Sequence, residues 1–394
     1  MGLGSGSLEE LVMVRSSSPL PGPQFWQGRR VLLTGHSGFK GSWLALWLLQ
    51  LGAEVHGFSL APDTEPSLWQ QLNLVSDQVV SGPGLLRHRL GDVRDVALLA
   101  AVVAEVRPQV VLHLAAQPLV RRSYADPLGT WSTNVLGTLH LLEALRCLEQ
   151  PCAAVMITTD KVYRNQEWQH SYRESDPLGG HDPYSSSKAA AELAIASWRS
   201  SFCGPSSHQT PWLALASVRA GNVIGGGDWS EDRLVPDLIR SLLAGVPLPL
   251  RSPGSTRPWQ HVLEPVCAYL VLAEQLFHHH DPGSSLRNPY ADSFNIGPSL
   301  ASNRSVGELV SLSRRFWPQA EAHGSSPMAA DLHEASLLNL CSDLAYHRLG
   351  WQPRWDFEVT VQRTMDWYRR QQLEGEPALS LCQEQIAAYT GSSL

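Results

Sequence analysis

The sequence predicts an α/β fold in which a doubly wound parallel sheet is followed by a smaller C-terminal unit. Short apolar, β-branched runs alternate with helical patterns as far as about residue 220. A glycine-rich turn follows the first of these runs, and beyond Gly221 the alternation gives way to segments rich in glycine and proline. Strands that alternate with helices build a parallel sheet covered on both faces, so the first part of the chain is expected to form one layered domain.

The individual elements follow from the period of the apolar residues. The predicted strands are Arg30–Thr34, Glu54–Leu60, Leu86–Leu90, Val110–Ala115, Ala154–Thr158 and Leu213–Arg219. The helices between them are predicted at Ser42–Leu51, Val96–Val106, Leu128–Leu148 and Ser185–Ser201. Further helices are predicted in the smaller unit at Leu234–Ala244, Leu263–His278, Val306–Phe316 and Thr360–Gln372.

Four segments divide the chain. Residues 1–24 are rich in Ser, Gly and Pro and lack the basic segment followed by an apolar segment that a secretory signal has, so we expect a disordered leader there. Residues 25–220 are the predicted sheet domain, and residues 221–375 are mainly the smaller, substrate-binding unit, with a return of the chain to the sheet left open. Residues 376–394 are predicted to be a C-terminal tail.

Composition excludes several classes of protein. A chain of 394 residues corresponds to about two structural units at about 100–200 residues each. It has no apolar run near the roughly 20 residues that span a bilayer, and its net charge of −7 disfavours nucleic acid or an anionic membrane as partner. The six cysteines include no C-x-x-C pair, which indicates reduced thiols, a cytoplasmic location and no metal site. The adjacent histidines 278–280 are likewise expected on the surface.

Lysine is scarce in this chain. Only three of the 30 basic residues are lysines, namely Lys40, Lys161 and Lys188. Arginine stays protonated, whereas lysine is compact and can lose its proton when it is buried. A lysine in such a chain indicates a position that a guanidinium cannot fill, so the three lysines are candidates for a functional site.

A glycine loop follows the first predicted strand. The segment T-G-H-S-G-F-K-G places Gly35, Gly38 and Gly41, together with Phe39 and Lys40, at the start of a helix. Glycines at this point of a Rossmann-type fold let backbone N–H groups approach a pyrophosphate, which the helix N-terminus stabilises. We therefore predict a dinucleotide site.

The residues after the second and third strands bear on which dinucleotide binds. Ser59 stands where an acidic residue would hold the ribose hydroxyls, and the nearest carboxylate is Asp63. No Lys or Arg lies between Lys40 and Arg87 to bind a 2′-phosphate, so NAD is preferred over NADP. Asp92 is predicted either to accept from the adenine amino group or to cap the next helix.

Two motifs predict the chemistry. Tyr184 and Lys188 in Y-S-S-S-K lie one helical turn apart, so the ammonium is expected to lower the pKa of the tyrosine and make it a base for a hydroxyl proton. T-T-D-K ends the fifth predicted strand and places Thr159, Asp160 and Lys161 at the carboxyl edge of the sheet, where such folds bind ligands. Thr159 is a candidate to bond the reacting oxygen, and an acid beside an amine offers a general acid and a general base that could eliminate water.

These motifs carry a family resemblance that extends from about Phe25 to Gln372. In chain order, TGHSGFKGSWL, GDVRD, HLAAQPLVRRSY, TTDKVY, YSSSK, RAGNVIGGGDW, RPWQHVLEP and FNIG resemble the nucleotide-sugar 4,6-dehydratases, which are extended short-chain dehydrogenases/reductases. The relatives usually carry glutamate where this chain has Lys161, and lysine there resembles their CDP-glucose branch.

The resemblance implies a closed NAD redox cycle on CDP-glucose. Tyr184, assisted by Thr159, would take the proton of the sugar 4-hydroxyl; Lys161 would remove the C5 proton; Asp160 would protonate the departing 6-hydroxyl. The product would be CDP-4-dehydro-6-deoxy-glucose for deoxysugar or polysaccharide biosynthesis. The implied cofactor-binding set comprises Gly35, Gly38, Phe39, Lys40, Gly41, Ser59, Asp92, Val93, Leu114, Ala115, Ala116, Thr158, Tyr184 and Lys188. The implied substrate-binding set comprises Gln117, Arg219, Asn222, Arg233, Leu234, Arg257, Asn295 and His333.

The sequence is also compatible with two other functions. One is a dehydratase or a 4-epimerase for another nucleotide sugar, and the other is a non-catalytic NAD sensor. An epimerase needs no acid for a 6-hydroxyl, and a sensor needs no Tyr184 or Lys188. The relatives pair through the helices near Leu128–Leu148 and Ser185–Ser201, which implies a homodimer or a higher homo-oligomer.

Overall fold

Alternating strands and helices cover most of the chain. The computed structural model describes residues 18–74, 82–203, 210–250, 252–283, 286–318, 325–327 and 337–392. The strands are β1 (Arg30–Thr34), β2 (Glu54–Ser59), β3 (Leu85–Leu90), β4 (Val110–His113), β5 (Cys152–Ile157), β6 (Leu213–Ala220), β7 (Val223–Ile224), β8 (Leu248–Leu250), β9 (Thr256–Pro258), β10 (Gln260–His261), β11 (Ser293–Ile296), β12 (Asn303–Ser305) and β13 (Ser325–Pro327).

The helices stand between these strands. They are α1 (Pro23–Trp26), α2 (Phe39–Gln50), α3 (Leu68–Leu72), α4 (Val96–Val106), α5 (Val120–Ala125), α6 (Pro127–Trp131), α7 (Gly137–Arg146), α8 (Pro183–Ser201), α9 (Leu234–Ala244), α10 (Leu263–His278), α11 (Val306–Arg315), α12 (Asp343–Leu349), α13 (Phe357–Leu373) and α14 (Ala378–Thr390). A π-helical segment, Ser132–Leu136, joins α6 to α7, and a short 3₁₀ turn, Asp160–Val162, follows β5.

Seven parallel strands form the central sheet, in the order β11-β6-β5-β4-β1-β2-β3. The chain moves outward from β1 to β3 and then returns to the other side of β1 at β4. The predicted doubly wound α/β fold is thereby confirmed. Such a sheet binds its ligand beyond the carboxyl ends of the strands, where the winding reverses, here between β1 and β4.

Two apolar layers cover the sheet. On one face, α4, α7 and α8 pack through Leu99, Leu141 and Ile195 against strand residues such as Leu32 and Leu215. On the other face, α2 and α10 pack through a separate cluster that includes the remaining sheet residues. The alternation of side chains along each strand thus supplies both faces with apolar residues, as expected for a parallel sheet.

The sheet domain takes more of the chain than its sequence predicts. β11 adds a seventh strand beside β6, so the chain does return to the sheet. α10, assigned above to the smaller unit, also belongs to the sheet layers, because nearly all of its side chains are buried in the larger core. A helix that is apolar on all sides requires cover on all sides, and only the sheet and its neighbouring helices provide it.

Both ends of the described chain are packed. Ser18 is buried and Gly22 donates from its N–H to Glu274 Oε1 at 2.7 Å, so residues 18–24 are ordered, contrary to the predicted disordered leader. Residues 1–17 lie outside the described residues. The predicted tail contains α14, whose Leu381 and Ile386 are buried in the core. Tertiary contacts, which composition does not report, order both segments.

The smaller unit combines α9, α11 and α12 with paired short strands, β7 with β10, β9 with β12 and β8 with β13. Residues of β7, β8 and β9 line a cavity beyond the carboxyl ends of β5 and β6. In the part of the chain that the structure describes, we find no helix with the length and apolar character needed to cross a membrane.

Candidate active site

A cavity of about 430 Å³ lies between the sheet and the smaller unit. Its sheet side is formed by the residues that follow β5 and β6, and its other side by α9 and the short strands. The structure brings ten of the predicted site residues into its lining: Lys40, Thr158, Thr159, Asp160, Lys161, Tyr184, Asn222, Arg233, Leu234 and Arg257.

Thr159, Asp160 and Lys161 form one hydrogen-bonded turn at the end of β5. Thr159 Oγ1 donates to Asp160 Oδ1 at 2.9 Å and accepts from the Lys161 N–H at 3.3 Å. Lys161 Nζ lies 3.7 Å from Asp160 Oδ1 and donates to Asn222 Oδ1 at 3.4 Å. Asp160 is buried, whereas the Lys161 side chain is partly exposed to the cavity. An acid and an amine are therefore held side by side.

Tyr184 and Lys188 lie on the first turns of α8. Asp182 caps this helix by accepting from the Ser185 N–H at 2.9 Å, and Pro183 starts it. Both predicted residues are buried on the face toward β5, and Lys188 Nζ donates to Ile157 O at 3.4 Å. Burial lowers the pKa of Lys188 to about 8, although the Glu192 carboxylate raises it in part.

The expected effect of Lys188 on Tyr184 is wrong for this structure. Burial raises the pKa of Tyr184 to about 12, because taking a phenolate out of water outweighs a side-chain hydrogen bond with Thr159 and the charge of Arg233, which lower it. Arg233 is thus a cation that favours the phenolate. Arg233 is held by Asp228 Oδ2 at 2.9 Å.

The glycine loop lies at the switch point between β1 and β4. Gly35 has a φ of +73°, and a Cβ there would lie 2.7 Å from Ala115 N, at the end of β4. A Cβ on Gly41 would lie 2.1 Å from Gly35 O. Only glycine permits this packing. It places the N-terminus of α2, with the unsatisfied N–H groups of its first turn, at the switch point, where the sequence predicts that a pyrophosphate binds.

Lys40 lies in the cavity as well as in the glycine loop. Burial lowers its pKa to about 8, and the charges that act on it next include Arg233, Asp160, Lys188 and Lys161. Lys40 and Lys161 therefore line the cavity together with Asp160 and Tyr184, and Lys188 lies one helical turn beyond Tyr184. The scarcity of lysine thus pointed to the site, although the sequence assigned Lys40 to the phosphate loop alone.

Three predicted cofactor residues follow β2 and β3. Ser59 is buried and donates to Ser37 Oγ at 2.8 Å, beside the glycine loop. Asp92 binds Arg94 Nη2 at 2.6 Å, and Asp95 rather than Asp92 caps α4, so the capping alternative for Asp92 is wrong. Val93 is buried. The roles of Asp92 and Ser59 toward a dinucleotide remain predictions, as do those of Leu114, Ala115 and Ala116 after β4.

Three of the predicted substrate residues lie outside the lining of the cavity. Arg219 is buried and paired with Glu192 at 2.8 Å, and Asn295 is buried and accepts from the Tyr163 hydroxyl at 2.7 Å. Gln117 donates to Thr130 Oγ1 of α6 at 2.9 Å. Because their polar atoms bond to protein groups, the structure gives these three assignments no support, and they stay predictions. His333 lies outside the described residues.

Several residues that line or contact this site were not predicted from the sequence. Tyr163 and Asp228 line the cavity, the first inside T-T-D-K-V-Y and the second inside G-G-G-D-W. Glu192 lies one helical turn beyond Lys188, and that spacing was the available signal. His36, in the glycine loop, contacts His88 Nδ1 at 2.6 Å and packs over Gly57, where a Cβ would lie 2.6 Å from its ring.

A doubly wound sheet with a glycine loop after β1, and with a tyrosine and a lysine one turn apart beside a threonine, defines the short-chain dehydrogenase/reductase class. Comparison with known proteins gives the family. The family model described as GDP-mannose 4,6 dehydratase matches residues 32–275. The chain belongs to this family of nucleotide-sugar 4,6-dehydratases.

The relatives agree with this assignment. CDP-glucose 4,6-dehydratase of Salmonella typhimurium is 42% identical over 94% of this chain and 98% of that protein. dTDP-glucose 4,6-dehydratase of Streptomyces antibioticus is 31% identical over 88% of this chain and 94% of that protein. A solved structure of dTDP-glucose 4,6-dehydratase from Streptomyces venezuelae, with NAD bound, is 26% identical, covers 89% of this chain and 99% of its own, and has a TM-score of 0.70. The resemblance stated from the motifs is confirmed.

Proposed function

We propose that this protein is an NAD-dependent CDP-glucose 4,6-dehydratase, a lyase that converts CDP-D-glucose to CDP-4-dehydro-6-deoxy-D-glucose and water. The observation that carries the proposal is the shared cavity, in which Asp160 and Lys161 lie 3.7 Å apart beside Thr159 and Tyr184. One cavity thus offers groups for both alcohol oxidation and elimination of water. The CDP-glucose enzyme of Salmonella typhimurium, at 42% identity, supports the cytidine nucleotide.

The residues at the switch point fit a dinucleotide. The tightly packed glycine loop presents the N-terminus of α2 for the pyrophosphate, and the Lys188 ammonium, whose one hydrogen bond within the described residues is the 3.4 Å contact to Ile157 O, can donate to a ribose hydroxyl. The chemistry that NAD supplies when bound is the reversible acceptance of hydride. Because the overall reaction returns that hydride, no net oxidant is consumed.

Four side chains are assigned to proton movement. Tyr184 takes the proton of the 4-hydroxyl, and Thr159, which lines the same cavity, bonds the reacting oxygen. The resulting 4-ketone acidifies C5–H, and Lys161 removes that proton. Asp160 then protonates the departing 6-hydroxyl, which leaves as water. When hydride returns to C6, Lys161, 3.7 Å from Asp160, gives its proton back to C5. The proton that Tyr184 took from the 4-hydroxyl replaces the one that Asp160 gave up, so all three groups are reset for the next cycle.

The nucleotide diphosphate is assigned to the cations of the smaller unit. Arg233 and Arg257 line the cavity from α9 and β9, and Asn222 adds an amide between them and Lys161. Arginine suits a diphosphate because its planar fork donates two parallel hydrogen bonds. Leu234 supplies an apolar contact in the same wall.

We also propose a homo-oligomer in a reducing, cytoplasmic setting. Large apolar side chains are exposed on the two helical regions through which relatives are expected to pair, including Leu128, Trp131 and Leu136 before α7 and Leu193 on α8. Burying such a patch in a partner subunit would remove it from water. All six cysteines fall in described segments and are free thiols, which suits a reducing compartment.

The test is to incubate the purified chain with CDP-, dTDP-, GDP- and UDP-glucose in separate reactions and to identify the products by mass and NMR. We expect CDP-glucose to react fastest and to lose one water with formation of a 4-ketone. Formation of the 4-epimer would support an epimerase. Faster reaction of another nucleotide sugar would show that the enzyme prefers that nucleotide to cytidine. Tight NAD binding without any turnover would support a sensor.

A further inference from the structure

A buried carboxylate lies behind the cavity, on the same face of α8 as the two catalytic candidates. Tyr184, Lys188 and Glu192 follow one another at intervals of four residues, so they share one side of the helix. Glu192 is 1% exposed and lies outside the lining of the cavity. It cannot touch substrate there, so any effect on the reaction must pass through its neighbours.

Glu192 bonds to three adjacent strands of the sheet. Its carboxylate accepts from Thr158 Oγ1 at 2.6 Å, immediately after β5, from Ser217 Oγ at 3.0 Å on β6, and from Ser293 Oγ at 3.4 Å on β11. The Thr158 bond is the informative one, because the next residues along the chain are Thr159, Asp160 and Lys161. The carboxylate therefore anchors the start of the catalytic turn to α8.

The ion pair extends this anchoring to the cavity wall. Arg219 Nη2 lies 2.8 Å from Glu192 Oε2, while its Nη1 donates to the Tyr163 hydroxyl at 2.9 Å. Tyr163 lines the cavity and in turn donates to Asn295 Oδ1 at 2.7 Å. Both members of the ion pair are buried, so breaking the pair would leave an uncompensated charge in the interior.

The same carboxylate is the negative group that acts on Lys188. Two further titratable groups whose charges act on this ammonium are His113 on β4 and Lys40 on α2. Burial holds the pKa of His113 at about 3, so this imidazole is neutral, and Lys40 is a cation that repels Lys188. Within the described residues, Glu192 is thus the group whose charge favours the protonated form of Lys188.

We propose that Glu192 is a positioning residue for the reaction, which fixes the catalytic turn through Thr158 and places a negative charge one helical turn from the Lys188 side chain. The inference rests on the proposed function only for the importance of Lys188 and Tyr184. Its test needs no turnover, so a failure of the proposed function and a failure of this inference can be told apart.

The scarcity of lysine makes the test direct. The full chain, grown with ¹³Cε-lysine, should give three lysine resonances, assigned by the variants Lys40→Arg and Lys161→Arg. The variant is Glu192→Gln, and the matched control is Glu274→Gln, another buried glutamate on the opposite face of the sheet. We expect the titration midpoint of Lys188 to fall by about one pH unit or more in Glu192→Gln, since the loss of a close opposite charge has that size of effect. The control should leave it unchanged.

Two further variants separate positioning from folding. Glu192→Asp keeps the charge and should retain most of the parental Lys188 midpoint. If Glu192→Gln does not fold, the double variant Glu192→Gln/Arg219→Gln removes the unpaired guanidinium and should show the same fall. An unchanged Lys188 midpoint in whichever of these two folds, with only thermal stability lost, would overturn the proposal and leave Glu192 a purely structural residue.

Discussion

α8 and α10 carry buried glutamates on opposite faces of the sheet, and the two helices use them differently. On α8, burial alone would raise the pKa of Glu192, but the Arg219 cation and the hydroxyl donors outweigh burial and lower it. On α10, Glu264 accepts two backbone N–H bonds and one from Tyr389, and burial raises its pKa to about 7. Glu274 on the same helix is likewise raised to about 7 by burial.

The difference shows how one residue type serves chemistry or folding according to its partner. Glu192 has a full counter-charge and remains ionised next to the catalytic residues. Glu264 and Glu274 accept hydrogen bonds mainly from neutral donors, and both fix terminal segments of the chain. Glu274 binds Gly22 and Trp26 near the N-terminus. Glu264 binds the chain just before α13. We therefore expect polar substitutions on α8 to change turnover, and those on α10 to change stability.

The largest effect is expected for Tyr184→Phe. The loss of the proton acceptor should lower kcat by about 10³-fold with little change in thermal stability. Tyr269→Phe on α10 is the matched control, because the Tyr269 hydroxyl is buried with no hydrogen-bond partner among the described residues. That control should keep full turnover and gain about 1 kcal/mol of stability. Equal losses of turnover in the two variants would contradict the division between the helices.

The next effect concerns the base. Lys161→Arg keeps a positive charge beside Asp160 but cannot give up its proton, so we expect about a 10²-fold loss of turnover. Lys161→Met should lose as much. The measurement is exchange of the C5 proton with deuterated solvent during the reaction. Exchange at the parental rate in either variant would exclude Lys161 as the base.

The chemistry of the site could be predicted from sequence because its residues lie in short contiguous motifs. T-T-D-K and Y-S-S-S-K each place their groups by local geometry, at a strand end and one helical turn apart. The boundaries of β1 to β6 were likewise predicted to within two residues. β11, which is four residues long inside a turn-rich segment, and the two- and three-residue strands of the smaller unit were not predicted.

The remaining features depend on tertiary packing. From the sequence alone, Arg219 is a candidate to bind phosphate, because nothing near it in the chain shows that it forms an ion pair. Its partner in that ion pair, Glu192, lies on a helix 27 residues earlier. The raised pKa of Tyr184 depends on burial beneath the smaller unit, which i, i+4 spacing does not report. The order of residues 18–24 depends on Glu274, which is distant in sequence. In each case the decisive contact is non-local.

The buried Glu264 should make the free energy of unfolding depend on pH. The folded pKa of Glu264 is raised above its unfolded value, so the stability this residue contributes is complete at low pH and is lost as the pH rises from about 4.5 toward 7. The glutamine of Glu264→Gln mimics the protonated acid. Over that range the free energy of unfolding of this variant should therefore fall by less than that of the parent protein, and the difference between the two falls should reach up to about 3 kcal/mol. Urea titrations of both proteins at several pH values measure this. Parallel pH profiles would contradict the raised pKa.

A smaller effect is expected for Arg257→Ala. This residue lines the cavity from β9 and is assigned to the diphosphate, so its loss should raise KM for the nucleotide sugar by about tenfold, the worth of one charge-assisted contact, and leave kcat nearly unchanged. Steady-state kinetics provides the measurement, with Arg304→Ala, an exposed residue of β12, as control. A fall in kcat instead of a rise in KM would place Arg257 in the chemistry.

The central claim is that one cavity oxidises C4 and then reduces C6 of the same sugar. CDP-glucose carrying deuterium at C4 tests it most directly, with the product analysed by NMR after a single turnover. We predict that the deuterium is found at C6 of the 4-keto product, with no net formation of reduced cofactor. Deuterium that stays at C4 of an epimer, or that accumulates in reduced cofactor, would contradict the claim.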